Sequence, residues 1–206
     1  MSAHDGVETN IDFRIFGRYR GAMLLDELMS TVPTTTGDAL ELFDAAPAVE
    51  PGEMIGTWRG AELPTGHPID GLLAASGWWG KQFVDAETVH PLLFRTSDGS
   101  ALWPMKPVLA FAGVPFGRFS VVKNRSYVKP IAMSRLAWQT RSPKARLRTT
   151  RYRGVDTATM IYDQLPINDV FHRLSDDAVL GAMDMRGSEQ PYFFVLRRDD
   201  TLRMRT

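Results

Sequence analysis

From Val89 onward, turn signals cut the chain at short intervals, and the pieces between them are apolar and strand-like. Ser97-Asp98-Gly99-Ser100 separates residues 89–95 from 101–105. Arg153-Gly154-Val155-Asp156 separates residues 146–152 from 157–162, and Gly187 to Pro191 separates residues 179–185 from 192–197. Glycine and aspartate at such points supply the backbone angles a hairpin turn needs. Two more short apolar pieces, 108–111 and 119–122, are interrupted by Gly113, Pro115 and Gly117. About seven to nine short strands joined this way predict a mainly-β fold, an antiparallel barrel or strongly curved sheet. Residues 166–174, with Pro166, Asn168 and Asp169, read as a short internal helix or helical turn.

The grammar before this region is helical. Leu24, Leu25, Leu28, Met29 and Val32 recur on one face at a 3.6-residue period, and Pro33 ends the run. A second helix is expected over residues 38–46, with Leu40 and Phe43 on one side and Asp38 in its first turn. The expected organisation is an extended or disordered start (1–21), a helical extension (22–50) and a β-barrel domain (51–204). The barrel domain divides into parts 51–107 and 108–204.

Composition bounds the function. Hydrophobic residues make up 44%, enough for a core without staples. The 24 basic and 24 acidic residues cancel, which argues against nucleic acid as a partner. With no cysteine, disulfides, thiolate nucleophiles and Cys-ligated metals are excluded. The polar first ten residues hold no secretory h-region, and no run of about 18 apolar residues exists. The expected compartment is the cytoplasm.

Three of the five tryptophans lie between Gly56 and Phe94, among closely spaced glycines. The run Gly56-Thr57-Trp58-Arg59-Gly60 lies in a strand that a turn at Pro64-Thr65-Gly66 ends. His67-Pro68 then opens a short helix with Ile69, Leu72 and Leu73 buried, and Gly77 closes it before Trp78-Trp79-Gly80-Lys81. Glycine lets backbone pass close to a large ring, so this cluster builds an aromatic wall, either a core corner or a pocket floor.

Together with Pro91-Leu92-Leu93-Phe94, these motifs resemble the GXWXG domain family. The C-terminal half resembles the domain of unknown function that usually follows it. Tyr162-Asp163, Pro166-Ile167-Asn168-Asp169, Phe171, Leu180-Gly181, Met183-Asp184, Gly187 and Tyr192-Phe193-Phe194 carry that likeness. Trp79 stands where the family more commonly has tyrosine. The resemblance implies a calycin-like barrel that binds a lipid-like or other hydrophobic ligand, and it brings no catalytic residues with it.

Several side chains are candidates for such a site. Trp58, Trp78 and Trp79 are either pocket wall or core; adjacent Trp78 and Trp79 face opposite ways in an extended segment. Met160 and Tyr162 on one strand, and Met183 on another, would line a cavity, unless side chains fill the interior. Lys81 and His67 are candidates to orient a head group, against surface positions. Asp184 sits in an apolar strand on the face opposite Met183 and Met185. Its carboxylate must be bonded if that face is covered, and is otherwise solvated. His172 lies near several aspartates and would be an acid–base imidazole, or a surface histidine on a polar turn. Lys144, Arg146 and Arg148 share a strand face. They either meet a membrane surface or anionic head group, or blunt a solvated edge.

His4, His67, His90 and His172 lack zinc-ligand spacing, and no Rossmann or nucleophile-elbow motif is present. No metal and no cofactor are expected. The leading expectation is therefore binding of a small apolar or amphipathic ligand in a barrel cavity. The alternative is an isomerase, cyclase or hydrolase using Asp184 or His172 in that cavity. A third reading is an interaction module, with the helix at 22–32 docking on a partner or on a second copy as a homodimer.

Overall fold

A computed structural model describes residues 35–108 and 135–205 of the chain. The expected helix at 22–32, the disordered start and most of the apolar pieces at 108–111 and 119–122 lie outside the described residues.

The strands are β1 (Gly56–Glu62), β2 (Trp78–Phe83), β3 (Val89–Arg95), β4 (Leu102–Pro104), β5 (Ala145–Tyr152), β6 (Val155–Tyr162), β7 (Ile167–Arg173), β8 (Ala178–Met185) and β9 (Tyr192–Arg198). They pair in the order β2-β1-β9-β8-β7-β6-β5-β3-β4, and a further β2–β3 pairing closes the sheet. Apart from β4, which hangs outside β3, neighbours round the ring follow chain order. The result is an eight-stranded antiparallel up-and-down barrel. Arg153 and Gly154 both take positive φ in the two-residue β5–β6 turn, which matches the twist of the flanking strands.

Residues 166–174 form strand β7 rather than the expected helical turn. Ile167, Asp169 and Phe171 are fully buried at alternate positions, a two-residue period that outweighs the polar, proline-led start. Pro166 stands just before the strand, where its missing N–H costs no ladder bond.

Alternation sorts the core into two layers. Trp58, Phe83, Met160, Phe171, Met183 and Phe194 belong to the interior cluster. The outer faces of β7, β8 and β9 present Val170, Leu180, Ala182, Phe193 and Val195 to helix α1 (Thr36–Ala45), which buries Ala39, Leu42 and Phe43 against them. Thr35 caps α1 by accepting from the Asp38 amide at 3.1 Å. Residues 47–54 then cross one end of the barrel. The Arg173 amide donates to Pro47, the Ala158 amide to Val49, and the Arg198 guanidinium to the Glu53 carbonyl. At the other end, the connection after β1 carries a single-turn helix α2 (Leu72–Ser76), closed by Gly77 in the left-handed conformation. A third short helix, α3 (Arg135–Trp138), precedes β5. Among the described residues, no helix is long and apolar enough to cross a membrane.

Candidate functional site

The barrel wall is shaped by what the glycines leave out. A Cβ on Gly60 would overlap the Trp78 indole, and one on Gly181 would overlap the Phe194 ring. Both rings therefore lie flat against bare backbone, with their centroids 5.9 Å apart and their planes nearly perpendicular. Gly56 similarly admits the Arg198 guanidinium, which covers the Trp58 ring at 4.4 Å. The Gly56-x-Trp58-x-Gly60 motif thus seats one cation–π stack at the closed end and one indole along the wall.

Against this wall lies a buried ion pair. Lys81 Nζ on β2 is 2.8 Å from Asp169 Oδ2 on β7, and the two side chains are 3% and 1% exposed. Three strands separate β2 from β7 in either direction round the ring (β1, β9, β8 or β3, β5, β6), so the pair bridges opposite walls of the lumen. The ammonium also donates to the Pro91 carbonyl at 3.3 Å. It lies 4.9 Å from the Phe194 ring, 5.3 Å from Trp78 and 5.8 Å from Tyr162.

Such a pair is a poor device for stability, because removing both charges from water costs several kcal/mol per ion. It is also incompletely satisfied. Asp169 Oδ1 and Trp78 Nε1 are both buried without a hydrogen-bond partner. Each unmet group costs about 1–3 kcal/mol. Burial pushes the Asp169 carboxyl above its ordinary range, and Lys81 pulls it back down. Burial and then the Asp169 charge push the Tyr162 phenol well up, so it stays protonated.

The end of the barrel that carries the His67–Ile69 loop lies above the pair, with the buried Met183, Met185 and Ile69 between. Met183 faces Asp169 across the β7–β8 ladder and Met185 faces Ile167, so the carboxylate sits one two-residue step below Met185, about 7 Å. Met185 and Ile69 help line a cleft of about 470 Å³ between the His67–Ile69 loop and the Gly187–Gln190 turn. Beside it, Tyr192 donates to Glu62 Oε1 at 2.6 Å, and Glu62 also accepts from the Gly71 and Leu73 amides. His67 packs edge-on to Tyr192 at 5.5 Å. The Ile69 amide donates to His67 Nδ1, which leaves the hydrogen on Nε2 facing Ser188 Oγ at 3.2 Å. Ser188 in turn donates to the Gln190 carbonyl. His67 is therefore a donor to Ser188 and does not stand as a base for a serine nucleophile.

The structure brings Trp58, Trp78, Lys81, Met160, Tyr162 and Met183 into the barrel interior and puts His67 at its mouth. Three other candidates lie elsewhere. Trp79 points outward into a separate cluster with Leu93 and Leu102, packed by Leu202 and Met204. Asp184 is exposed on the outer face of β8, opposite Asn168. His172 lies on the outer face of β7, stacked on Phe43 at 4.0 Å and bonded through Nδ1 to the Phe43 carbonyl. Arg146 and Arg148 pair with Asp163 and Glu87.

Asp169, Glu62 and Tyr192 are the polar residues that sequence reasoning missed. For Asp169, the Ile167-x-Asp169-x-Phe171 alternation was the available signal. Among the described residues, no group of three or more His, Cys, Asp or Glu is placed to hold a metal ion.

A model of the GXWXG protein family matches residues 41–99, and a model of the domain of unknown function DUF4334 matches residues 143–198. No curated protein matches the chain. Among solved structures, the crystal structure of a protein from Thermomonospora curvata is similar at 32% sequence identity and a TM-score of 0.57. That alignment covers 78% of this chain and 84% of the other. The glycine-seated rings round Trp58 and Trp78 are thus the structural form of a motif by which this chain belongs to the GXWXG family, with the DUF4334 domain following in the same barrel.

Proposed function

We propose that the barrel binds a small apolar or amphipathic, lipid-like ligand, with its polar end on the Lys81–Asp169 pair and its apolar part toward the mouth. The observation that carries this reading is the pair itself. It is a charge bridge across the lumen, walled by aromatic rings, with one carboxylate oxygen unmet. Polar groups held unsatisfied in an apolar enclosure are characteristic of ligand sites. The cleft above, at about 470 Å³, falls within the range of small-molecule pockets. Apolar burial would supply most of the affinity, at ~25 cal/mol per Å² before association costs.

An up-and-down barrel of eight strands is also the calycin-like arrangement in which such ligands are held. The absence of cysteine fits a cytoplasmic setting. The test is to delipidate the protein, incubate it with cell extract, repurify it and extract it for mass spectrometry. The expected result is one class of apolar small molecule at near-stoichiometric amounts; recovery of none would sink the proposal.

A second reading is favoured by the position of the Asp169 carboxyl, which faces the lumen with Oδ1 unpartnered and is raised by burial against the pull of Lys81. A carboxyl held closer to neutrality is suited to moving a proton on an apolar substrate. In that reading Asp169 takes the acid–base role, since Asp184 and His172 face away from the lumen. Asp169→Asn, which keeps an acceptor oxygen in place but cannot move the proton, would then abolish turnover, and retained turnover would overturn this reading.

A further inference from the structure

Resting on the ligand reading above, we propose that the head group accepted at the Lys81–Asp169 pair is an uncharged hydrogen-bond donor, an alcohol or primary amide, and that carboxylates are rejected. A buried lysine in a barrel invites the opposite expectation, a salt bridge to an anionic ligand. The geometry opposes it. The Lys81 ammonium is already met by Asp169 Oδ2 at 2.8 Å, the Pro91 carbonyl at 3.3 Å and three aromatic faces.

The unmet atom is instead an acceptor, Asp169 Oδ1, on a side chain 1% exposed. It calls for a donor. A carboxylate would offer none and would place a second negative charge beside Asp169 in a medium that screens weakly. An ammonium would place a second positive charge beside Lys81. Trp78 Nε1, unpartnered on the ring that faces the same ammonium, calls for an acceptor. Hydroxyl and amide groups carry both functions and no charge. At the mouth, Glu62 already accepts from Tyr192, Gly71 and Leu73, so its carboxylate adds negative charge without an unmet demand for a cation.

The test uses the delipidated full chain and three probes of one chain length, 1-dodecanol, methyl laurate and laurate, at pH 7.5, with affinities read by titration calorimetry. The alcohol donates and accepts, the ester only accepts, and laurate is anionic. The expected order is alcohol, then ester, then laurate, with the alcohol at least about tenfold tighter than the ester. Equal binding of alcohol and ester, or laurate binding tightest, would overturn the head-group inference while the lumen still held an apolar guest. If none of the three bound, the ligand reading itself would fall with it.

The wild-type series stands without any variant. The double variant Lys81→Met with Asp169→Leu replaces the pair by apolar side chains. It is expected to bring alcohol and ester to within about threefold of each other. An undiminished preference for the alcohol in that variant would assign the discrimination to some other group and overturn the inference.

Discussion

Gly60 has no side chain because the Trp78 indole occupies the place one would take. The ring has nowhere to retreat. Phe194 stands edge-on at 5.9 Å, and the Lys81 ammonium lies 5.3 Å from its centroid. Gly60→Ala is therefore expected to cost about 1–3 kcal/mol, the usual price of overpacking a filled core. The control is Gly52→Ala, where an added Cβ meets nothing within 4 Å, with an expected change within about 0.5 kcal/mol. Urea midpoints of the two variants check the contrast, and equal midpoints would remove the steric account of the motif.

The ion pair makes a second prediction at this scale. Lys81→Met leaves a carboxylate buried alone and is expected to cost about 3–5 kcal/mol. Adding Asp169→Leu removes the orphan charge, and the double variant is expected to recover most of that loss. A double variant no more stable than the single one would show that the pair is itself a structural brace, which would weaken its assignment to ligand.

Helix α1 packs its apolar face on the barrel, and one imidazole adds a polar tie between the two. His172 stacks on Phe43 and uses Nδ1 to reach the Phe43 carbonyl, while its Nε2 is buried without a partner. Burial lowers its pKa below the usual 6.5, against smaller opposing contributions from the Phe43 and Ala46 backbone and the Asp44 charge. The unfolded chain therefore takes a proton that the folded chain resists. Stability present above pH 6.5 is lost as pH falls through the folded value. Urea midpoints at pH 7.5 and 5.5 are expected to show this fall. His172→Phe, which keeps the stack, should make it shallower. It should not abolish the fall, because burial also lowers the pKa of His90. An unchanged slope in His172→Phe would assign the pH dependence elsewhere.

The same strand marks where sequence is legible and where it is not. The hairpins β3–β4, β5–β6 and β8–β9 announce themselves because a turn is chosen by a few adjacent residues. Strand β7 does not, because Pro166, Asn168 and Asp169 look like breakers when weighed singly, and only their alternation with Ile167 and Phe171 shows a strand. Alternation puts Asp184 on the face opposite Met183, and the structure agrees. Yet the cover over that face spans Leu180 and Ala182, and Asp184 itself stays exposed. Lys81 stood out by its Trp–Gly surroundings. Its partner did not, because strands β2 and β7 become opposite walls only when the whole ring closes, and no local pattern encodes that.

Among the described residues, the ring is held by the fewest bonds where it closes. The β5–β6, β7–β8, β8–β9 and β9–β1 ladders run along most of their strands, whereas β6–β7 has three ladder pairs. The β3–β5 junction has a single ladder pair, Val89 with Ala145, supported by the Lys144 amide on Val89 and the Leu147 amide on Ala86. Above it, β3 turns its edge to β4, and the wall continues through the Met105–Gln139 bridge and the Thr140 amide on Pro104. Few hydrogen bonds and short pieces make this seam the lowest-cost route by which the lumen opens. Hydrogen exchange is therefore expected to be earliest in β4 and residues 139–147, and slowest in β8 and β9. A guest reaching the Lys81–Asp169 pair packs against Tyr162, which pairs with Ala145 at the seam's edge. Saturating 1-dodecanol should consequently slow exchange at the seam more than in β8 and β9, since binding stabilises the closed ring. Exchange that begins in β8–β9, or a guest that protects both regions equally, would place the opening elsewhere and leave the mouth beside His67 as the route to the pair.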